Sequence, residues 1–397
     1  MYCIMISEYL TKTFKHGRTK ICRYLFCPEK YWVAIKATDK QMQNAATAID
    51  EYLKGSGEGC DILKEQLSHF TDDIQVRINK MCGSKDYSED TVKNLCFYIS
   101  MASALPYILG EDEEQLTHTS LMKTITGSKW KCVGFTCGDV IGQPMEFVQK
   151  EYRKIMNYIP FSLASHYTDD TVMTIAVMKW LLGGELTSEK LVQHVVDLGT
   201  EHWAAGYGRN FNDWLHGSNN YQPYESYGNG SAMRVSPVGW FFDNEEEVLK
   251  YAKMSADITH NHPEGVKGAQ AIAMCIFLAR TGSTKDEIKA YIEKKFGYDL
   301  SRITDMIRPD YIFHVDCQQS VPESIICFLE AKSTLEAIQL AISLGGDTDT
   351  MADMAGAIAE AYYGDCDDLF EDTIEKSFQY PKAFVDVIKE FNEKISE

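Results

Sequence analysis

Two stretches of the chain place a short cluster of acids and hydroxyls directly before an apolar run of helical spacing. The run after Asp170 contains Val172, Met173, Ile175, Ala176, Val177, Trp180 and Leu181. The run after Thr350 contains Met351, Met354, Ala355, Ile358 and Ala359. This pattern predicts two helices, each beginning at its acidic cluster. The unpaired N–H groups and partial positive charge of a helix N-terminus tolerate acidic residues there.

The two clusters hold more oxygen ligands than helix capping requires. They read Tyr167-Thr168-Asp169-Asp170-Thr171 and Gly345-Gly346-Asp347-Thr348-Asp349-Thr350. A cap accounts for one Asp or Thr at each start, but not for paired carboxylates beside hydroxyls. Oxygen-only clusters suit hard divalent cations such as Mg²⁺ or Mn²⁺. A third triplet, Thr71-Asp72-Asp73, has no second cluster beside it, and we interpret it as a cap or turn.

The first 125 residues differ in character from the rest of the chain. Periodic apolar segments near 41–53, 62–70 and 91–109 predict helices. The acidic run Glu111-Asp112-Glu113-Glu114 then reads as a solvated connector. We therefore predict an N-terminal helical unit, 1–125, and a second domain, 126–397.

Composition narrows the classes of partner. The chain has 397 residues, 45% of them hydrophobic, and a net charge of −19. This acidity argues against nucleic-acid binding, which needs a basic surface. The N-terminus lacks the features of a signal peptide, and no apolar run approaches the ~20 residues of a membrane span. These observations predict a cytoplasmic protein without a membrane partner, and its 12 cysteines are expected to be buried reduced thiols.

The segment 132–147 carries a glycine at every fourth position. Gly134, Gly138 and Gly142 would form a side-chain-free stripe on one helical face, suited to close packing. Glu146 follows between Met145 and Phe147. A carboxylate in an apolar setting tends towards a raised pKa, which suits acid–base catalysis.

The residues from Gly206 to Arg234 are rich in glycine, asparagine and tyrosine, which predicts a long functional loop. The run Gly228-Asn229-Gly230-Ser231 could present successive N–H groups to a phosphate, with Arg234 nearby. The tyrosines, Tyr207 and Tyr227 among them, could stack on a nucleobase.

Two histidines, His260 and His262, stand beside Asp257 and before Pro263. They could be metal ligands, or the segment could be a helix entry capped by Thr or Asn with Pro263 in its first turn. We favour the helix entry. The histidines could also orient the metal ligands through hydrogen bonds, and that role stays open.

From about Trp130 to the C-terminus, the chain resembles the ADP-ribosylglycohydrolases, which include the dinitrogenase-reductase-activating glycohydrolase. Four blocks match in order: Gly138-Asp139-Val140-Ile141-Gly142 with Pro144-Met145-Glu146-Phe147, Thr168-Asp169-Asp170-Thr171, Thr259-His260-Asn261-His262-Pro263, and Gly345-Gly346-Asp347-Thr348-Asp349-Thr350. The resemblance implies an all-α fold, an orthogonal helical bundle, around two Mg²⁺ or Mn²⁺ ions. The implied metal ligands are Thr168, Asp169, Asp170, Asp347, Asp349 and Thr350.

The resemblance also implies a metal-dependent hydrolase that removes ADP-ribose from a modified acceptor, such as a protein arginine. Asp169 or Asp170 would then deprotonate the water or protonate the leaving group, and Glu146 would sit over the cleavage site. The expected substrate-binding residues are Gly228, Asn229, Gly230, Ser231, Tyr207, Tyr227, His260 and Glu225. Glu225 departs from the family's usual spacing to the glycine loop, and this leaves the acceptor residue open.

Two other hypotheses accompany this one. Some bacterial relatives are immunity proteins against ADP-ribosyltransferase toxins, and the 1–125 segment, which lies outside the resemblance, could bind such a cognate toxin. A third hypothesis keeps the metal site but changes the substrate to an ADP-ribosylated nucleic acid or a small nucleoside conjugate. The intact pair of acidic clusters favours catalysis over binding alone, because acids are costly to hold together without a function.

Overall fold

A computed structural model of the chain describes residues 125–146, 165–377 and 380–396, together with Gly57 and Met122. Nearly all of the predicted N-terminal unit, including Thr71-Asp72-Asp73 and the acidic connector, therefore lies outside the described residues. Phe147 does as well.

The regular structure of these described ranges is helical. Its α-helices are α1 Gly134–Gly142, α2 Asp169–Leu182, α3 Ser188–Glu201, α4 Arg209–Leu215, α5 Gly230–Met233, α6 Ser236–Phe241, α7 Glu245–Asp257, α8 Pro263–Arg280, α9 Lys285–Phe296, α10 Thr304–Ile307, α11 Cys317–Glu330, α12 Thr334–Leu344, α13 Thr348–Tyr363, α14 Asp367–Lys376 and α15 Lys382–Lys394. A short 3₁₀ helix, Gln143–Met145, follows α1. Gly228 and Asp316 form an isolated antiparallel bridge, and the described residues contain no strand. The all-α prediction is confirmed.

The helices α1 and α13 pack with almost no space between their backbones. The three glycines of the predicted stripe face α13, and a Cβ added to any of them would lie 2.1–2.5 Å from one of its backbone oxygens: Gly134 from Gly356, Gly138 from Ala352, and Gly142 from Thr348. The predicted close packing is confirmed. The hydroxyl of Thr348 also donates a hydrogen bond to the carbonyl of Gly142, at 2.9 Å. This contact places the C-terminal end of α1 against the first turn of α13.

The helix α2 lies inside the protein, and most of its side chains are buried. Thr168 is its N-cap, and the threonine hydroxyl accepts a hydrogen bond from the N–H of Asp170. The helix α13 begins after Gly345 and Gly346, whose φ angles are +80° and +81°. Because only glycine takes up this left-handed conformation readily, the glycine pair lets the chain turn sharply from α12 into Asp347.

The long loop predicted over 206–234 is shorter than expected. The helix α4 lies within it, because Phe211, Trp214 and Leu215 have helical spacing and all three are buried. The helix α5 ends it. Its longest irregular part runs from 216 to 229 and contains Tyr221, Tyr224, Tyr227 and the first two residues of the glycine-rich run, whereas Tyr207 precedes α4.

Among the described helices, none is both long and apolar enough to cross a membrane. The described cysteines agree with the prediction of buried, reduced thiols. They are free and buried at positions 132, 137, 275, 317, 327 and 366.

Candidate active site

Asp139 of α1 ties the start of α2 to the α1–α13 pair. Its side chain is completely buried. The N–H and the hydroxyl of Thr168 each donate to its carboxylate at 2.8 Å, and those of Thr171 donate at 3.2 and 2.5 Å. Burial raises the pKa of Asp139 to about 6, although these four donors oppose the rise. Asp139 stands in one of the four matching blocks, but its residue type and position alone did not predict a role for it.

Three carboxylates from three helices form the first acidic group of the site. One oxygen from each of Asp139, Asp170 and Asp349 lies within 4.8 Å of the other two, and all three residues are buried. The hydroxyls of Thr168 and Thr350 approach Oδ2 of Asp170 at 3.1 and 3.3 Å. Its Oδ1 is buried and has no hydrogen-bond partner among the described residues. A buried carboxylate oxygen without a partner, on a residue that has two other carboxylates nearby, fits a cation site.

A second acidic group shares one member with the first. Oxygens of Glu146, Asp347 and Asp349 also lie within 4.8 Å of one another. The side-chain amide of Asn229 donates to Oδ2 of Asp347 at 2.7 Å and holds that carboxylate in place. Because Asp349 belongs to both groups, the two groups adjoin at this residue, and each is a set of acids that could hold a cation.

Burial and mutual repulsion raise the pKa values of these acids. The pKa is well above the ordinary value for Glu146, Asp170 and Asp349, first because of burial and then because of the neighbouring carboxylates. Burial also raises the pKa of Asp347. Together the carboxylates could ionise only if positive charge lay among them. The all-oxygen donor set fits Mg²⁺ or Mn²⁺.

Asp169 belongs to neither group, although it neighbours both. Its carboxylate is half-buried, and the backbone N–H of Asp169 donates to the carbonyl of Ala205 at 2.8 Å. A Cβ on Gly206 would lie 3.6 Å from its Oδ1. Burial, followed by Asp139 and Asp347, raises its pKa to about 8. The roles predicted for Asp169, as metal ligand or as base, stay predictions.

Tyr207 lies near enough to Asp169 for that carboxylate to act on its hydroxyl. The hydroxyl is buried and has no hydrogen-bond partner in the described part of the chain. The pKa of Tyr207 is raised well above the ordinary value, mainly by burial and then by Asp169. The structure thus brings this predicted substrate-binding residue close to the acids.

The glycine-rich run lies beside the second acidic group, but its side chains have distinct surroundings. Asn229 is buried against Asp347, and Ser231 is buried with its hydroxyl donating to the carbonyl of Gly265 at 2.8 Å. The ring of Tyr227 is 52% exposed. Glu225 is exposed in a left-handed conformation, with φ of +54°, and its N–H donates to Asn261. The backbone of the glycine-rich run and the ring of Tyr227 just before it are therefore the groups that could contact a ligand.

The two histidines have different positions, and the favoured helix-entry interpretation is confirmed for His262. His262 is the N-cap of α8, and its ring accepts a hydrogen bond from the N–H of Glu264. The expected Thr or Asn cap is wrong, because the side chains of Thr259 and Asn261 bind other partners. His260 is buried beside the glycine-rich run, at 3.1 Å between its Nε2 and a Cβ placed on Gly230.

Asp353 is a buried acid for which no role was predicted from the sequence. It lies one helical turn after Asp349 on α13 and is completely buried. Neither of its carboxylate oxygens has a hydrogen-bond partner among the described residues. Burial, followed by Asp170, Asp139 and Asp169, raises its pKa well above the ordinary value. Its four-residue spacing from Asp349 was the available sequence signal.

Replacing Asp353 by alanine is expected to stabilise the metal-free protein. The change removes a buried carboxyl without a partner, which should raise the free energy of unfolding by about 1–3 kcal/mol. Because the folded-state pKa is raised, folding takes up a proton above the unfolded-state pKa of about 3.9, so the gain should grow as pH rises. Urea unfolding of both proteins at pH 5 and pH 8, with a chelator, measures this gain in the free energy of unfolding. A loss of stability at both pH values would contradict the prediction.

Comparison with known proteins places this site in a family. The sequence model for ADP-ribosylglycohydrolase matches residues 131–383. The chain is 31% identical to ADP-ribosylhydrolase ARH3 of Mus musculus over 258 residues, which cover 50% of this chain and 70% of that protein. It is 30% identical to ARH3 of Homo sapiens over 260 residues, which cover 51% and 72%. It is 26% identical to ADP-ribosylarginine hydrolase Tri1 of Pseudomonas putida over 273 residues, which cover 60% and 70%. The matched range contains both acidic groups and the glycine-rich run, and the chain belongs to the ADP-ribosylglycohydrolase family.

Proposed function

We propose that the protein is a dinuclear metal-dependent hydrolase that removes ADP-ribose from a modified protein side chain. The observation that carries the proposal is the pair of acidic groups sharing Asp349, buried within the range that matches the family. Arginine is the first acceptor to test, since one relative is named an ADP-ribosylarginine hydrolase.

The two groups would hold one cation each. Asp139, Asp170 and Asp349 surround the first position, and Glu146, Asp347 and Asp349 surround the second. The hydroxyls of Thr168 and Thr350 lie at the edge of the first group, through their contacts with Asp170. When bound, the cations would polarise the ribose, offset the diphosphate charge and lower the pKa of a water molecule.

The remaining chemistry is proton transfer by the chain's own carboxyls. Hydrolysis forms a bond from the water oxygen to the anomeric carbon and breaks the bond from that carbon to the acceptor atom, which needs a proton. Asp169 lies beside both groups and belongs to neither. Cations bound there would lower its raised pKa, so its carboxylate could accept the water proton near neutral pH. Glu146 would hold the second cation as a carboxylate, and the proton that Asp169 takes from the water balances the one that the leaving atom gains.

The exposed tyrosines of the 216–229 segment would hold the adenine. Tyr221 and Tyr227 present 39% and 52% of their surfaces to solvent, whereas the hydroxyl of Tyr207 is buried next to Asp169. An exposed ring beside the glycine-rich run can stack on a base while the backbone at Gly228 and Gly230 approaches the phosphates.

Removing the ring of Tyr227 should weaken ADP-ribose binding. Tyr227→Ala is expected to lose about 1–3 kcal/mol of binding free energy, the range measured for stacking of a base on an aromatic side chain. Calorimetric titration with ADP-ribose and Mn²⁺ measures the loss. Tyr227→Phe keeps the ring and is the matched control. Unchanged affinity in Tyr227→Ala would place the adenine elsewhere.

The direct test of the function is hydrolysis of defined substrates. Peptides mono-ADP-ribosylated on arginine or on serine are incubated with the protein in Mg²⁺, in Mn²⁺ and in excess chelator. Release of ADP-ribose that requires the cation supports the proposal, and the preferred peptide identifies the acceptor. No release from either peptide with either cation would reject it.

We expect residues 1–125 to be dispensable for the chemistry. The family match begins at residue 131, and the acidic groups come from later segments. A shortened chain beginning at Lys123 should therefore hydrolyse a small ADP-ribosylated peptide at nearly the full rate. A shortened chain that folds, by circular dichroism, but has lost all activity would contradict this expectation. The predicted role of residues 1–125 in selecting a modified protein or a cognate toxin concerns residues outside the described ranges and stays a prediction.

A further inference from the structure

Arg234 is a buried cation whose contacts are all uncharged. It is 1% exposed, and no carboxylate of the described residues forms a salt bridge with it. Its Nη2 donates to the carbonyl of Ser255 at 2.7 Å and to the hydroxyl oxygen of Thr259 at 2.9 Å. From its place in the sequence, Arg234 was expected near a phosphate. The guanidinium is instead engaged behind the glycine-rich run, so any effect on a ligand has to pass through another residue.

Thr259 connects Arg234 to His260. Its hydroxyl oxygen lies 2.7 Å from Nδ1 of His260, and its side chain is completely buried. A hydroxyl has one hydrogen to donate, whereas an arginine N–H can only donate. Arg234 therefore occupies an acceptor position of the Thr259 oxygen, and the Thr259 hydrogen remains for Nδ1.

This hydrogen-bond direction fixes the tautomer of His260. If Nδ1 carried a hydrogen, the Thr259 oxygen would accept twice, and its own hydrogen would point at no acceptor found among the described residues. A buried hydroxyl without an acceptor costs about 1–3 kcal/mol. With Nδ1 accepting, the Thr259 hydroxyl accepts from Arg234 and donates to His260, and the ring hydrogen lies on Nε2.

The opposite side of the ring faces the glycine-rich run. Nε2 of His260 lies 3.1 Å from a Cβ placed on Gly230 and 3.5 Å from one placed on Gly228. The ring also stays neutral, because burial, assisted by Arg234, lowers the pKa of His260 well below its ordinary value. The glycines leave the space that a side chain would take from the Nε2–H donor.

We propose that Arg234 and Thr259 are positioning residues that hold His260 as the Nε2–H tautomer, so that it presents a fixed donor to an anionic group of the ligand beside Gly228 and Gly230. The inference rests on the proposed function, in which that anionic group is the diphosphate of ADP-ribose. Neither Arg234 nor Thr259 touches the ligand. Each acts only by directing the hydrogen of the next residue.

Nuclear magnetic resonance of the full chain, labelled with ¹⁵N at histidine, reads the tautomer directly. The His260 signals are assigned by their loss in His260→Gln. We expect the unaltered chain to show a protonated Nε2 and an unprotonated Nδ1, without any ligand. A protonated Nδ1 would overturn the inference, and this measurement needs no variant of Arg234 or Thr259 to fold.

Two substitutions at Thr259 form a matched pair. Thr259→Val keeps the shape but removes the hydroxyl, and should give a mixture of tautomers and roughly tenfold weaker ADP-ribose binding in Mn²⁺. Thr259→Ser keeps the hydroxyl, and should retain one tautomer and the original affinity. A Thr259→Val protein with the original tautomer and affinity would overturn the role of Thr259.

Arg234→Met tests the hydrogen bond from Arg234 to Thr259. Without the guanidinium, the hydroxyl of Thr259 can turn to the freed carbonyl of Ser255, and its oxygen can then accept from Nδ1. We expect a mixture of tautomers with Thr259 intact, and a single unchanged tautomer would overturn the role of Arg234. If the unaltered chain binds no ADP-ribose, the proposed function fails together with the ligand part of this inference. If the unaltered chain binds ADP-ribose but carries the hydrogen of His260 on Nδ1, this inference is overturned and the proposed function is not.

Discussion

Asp349→Ala is expected to abolish hydrolysis and to remove both cations. Asp349 is the one residue common to the two acidic groups, so its loss leaves each proposed site with two carboxylates. Metal ions supply several kcal/mol of transition-state stabilisation, which corresponds to a fall in kcat/KM of roughly a thousandfold or more. Hydrolysis of an ADP-ribosylated peptide and calorimetric titration with Mn²⁺ measure the two effects.

The fold should survive this change. Asp349 is buried among other carboxylates that raise its pKa, so removing it relieves repulsion in the metal-free protein. Asp386→Asn is the control, since it also removes one negative charge, but from an exposed pair with Lys382 on α15. If Asp349→Ala keeps most of its turnover, the reaction does not depend on the shared carboxylate, and the active site lies elsewhere.

Divalent cations are expected to stabilise the protein much more at pH 8 than at pH 5. In the metal-free protein, the raised pKa values mean that folding takes up protons once pH exceeds the unfolded-state value of about 3.9. Its stability should therefore fall as pH rises through about 6, where Asp139 titrates, and about 8, where Asp169 titrates. Cations replace those protons, so their binding should strengthen over the same pH range.

The size of the effect follows from the affinity. At a free Mn²⁺ concentration one hundred times Kd, each site should contribute about 2.7 kcal/mol to the free energy of unfolding. Urea unfolding at pH 5, 6.5 and 8, with Mn²⁺ or with a chelator, measures the difference. Asp349→Ala should lose this metal-dependent increment and serves as the control. Equal stability with and without Mn²⁺ at pH 8 would argue against a cation site between the two groups.

The local pattern of the sequence was sufficient to predict the helices that carry the site. The apolar runs after Asp170 and Thr350 correspond to α2 and α13, and the glycine stripe is the face of α1 that packs on α13. Such features depend on neighbours within one or two helical turns, so spacing reveals them. The helix α4 was missed, although Phe211 and Trp214 have helical spacing, because the surrounding glycines and asparagines favoured a loop.

The sequence also identified most members of the acidic groups, because three of them stand in two short clusters and Glu146 stands out between apolar residues. It could not show which oxygens meet. Asp139 is an isolated acid in a glycine-rich helix, and only the packing of α1 between α2 and α13 brings it to Asp170 and Asp349. Asn229 likewise has no sequence signal linking it to Asp347, a contact that spans 118 positions.

By itself, the sequence determined the all-α class and the oxygen chemistry of the site, since both follow from residue types and short-range spacing. The tertiary structure decided how that chemistry is divided: Asp349 is shared between two groups, Asp169 stands beside them, and Arg234 acts behind His260. These relations depend on which backbones approach within a few ångströms. That approach is set by the packing of helices distant in the chain, and no local pattern of residues records it.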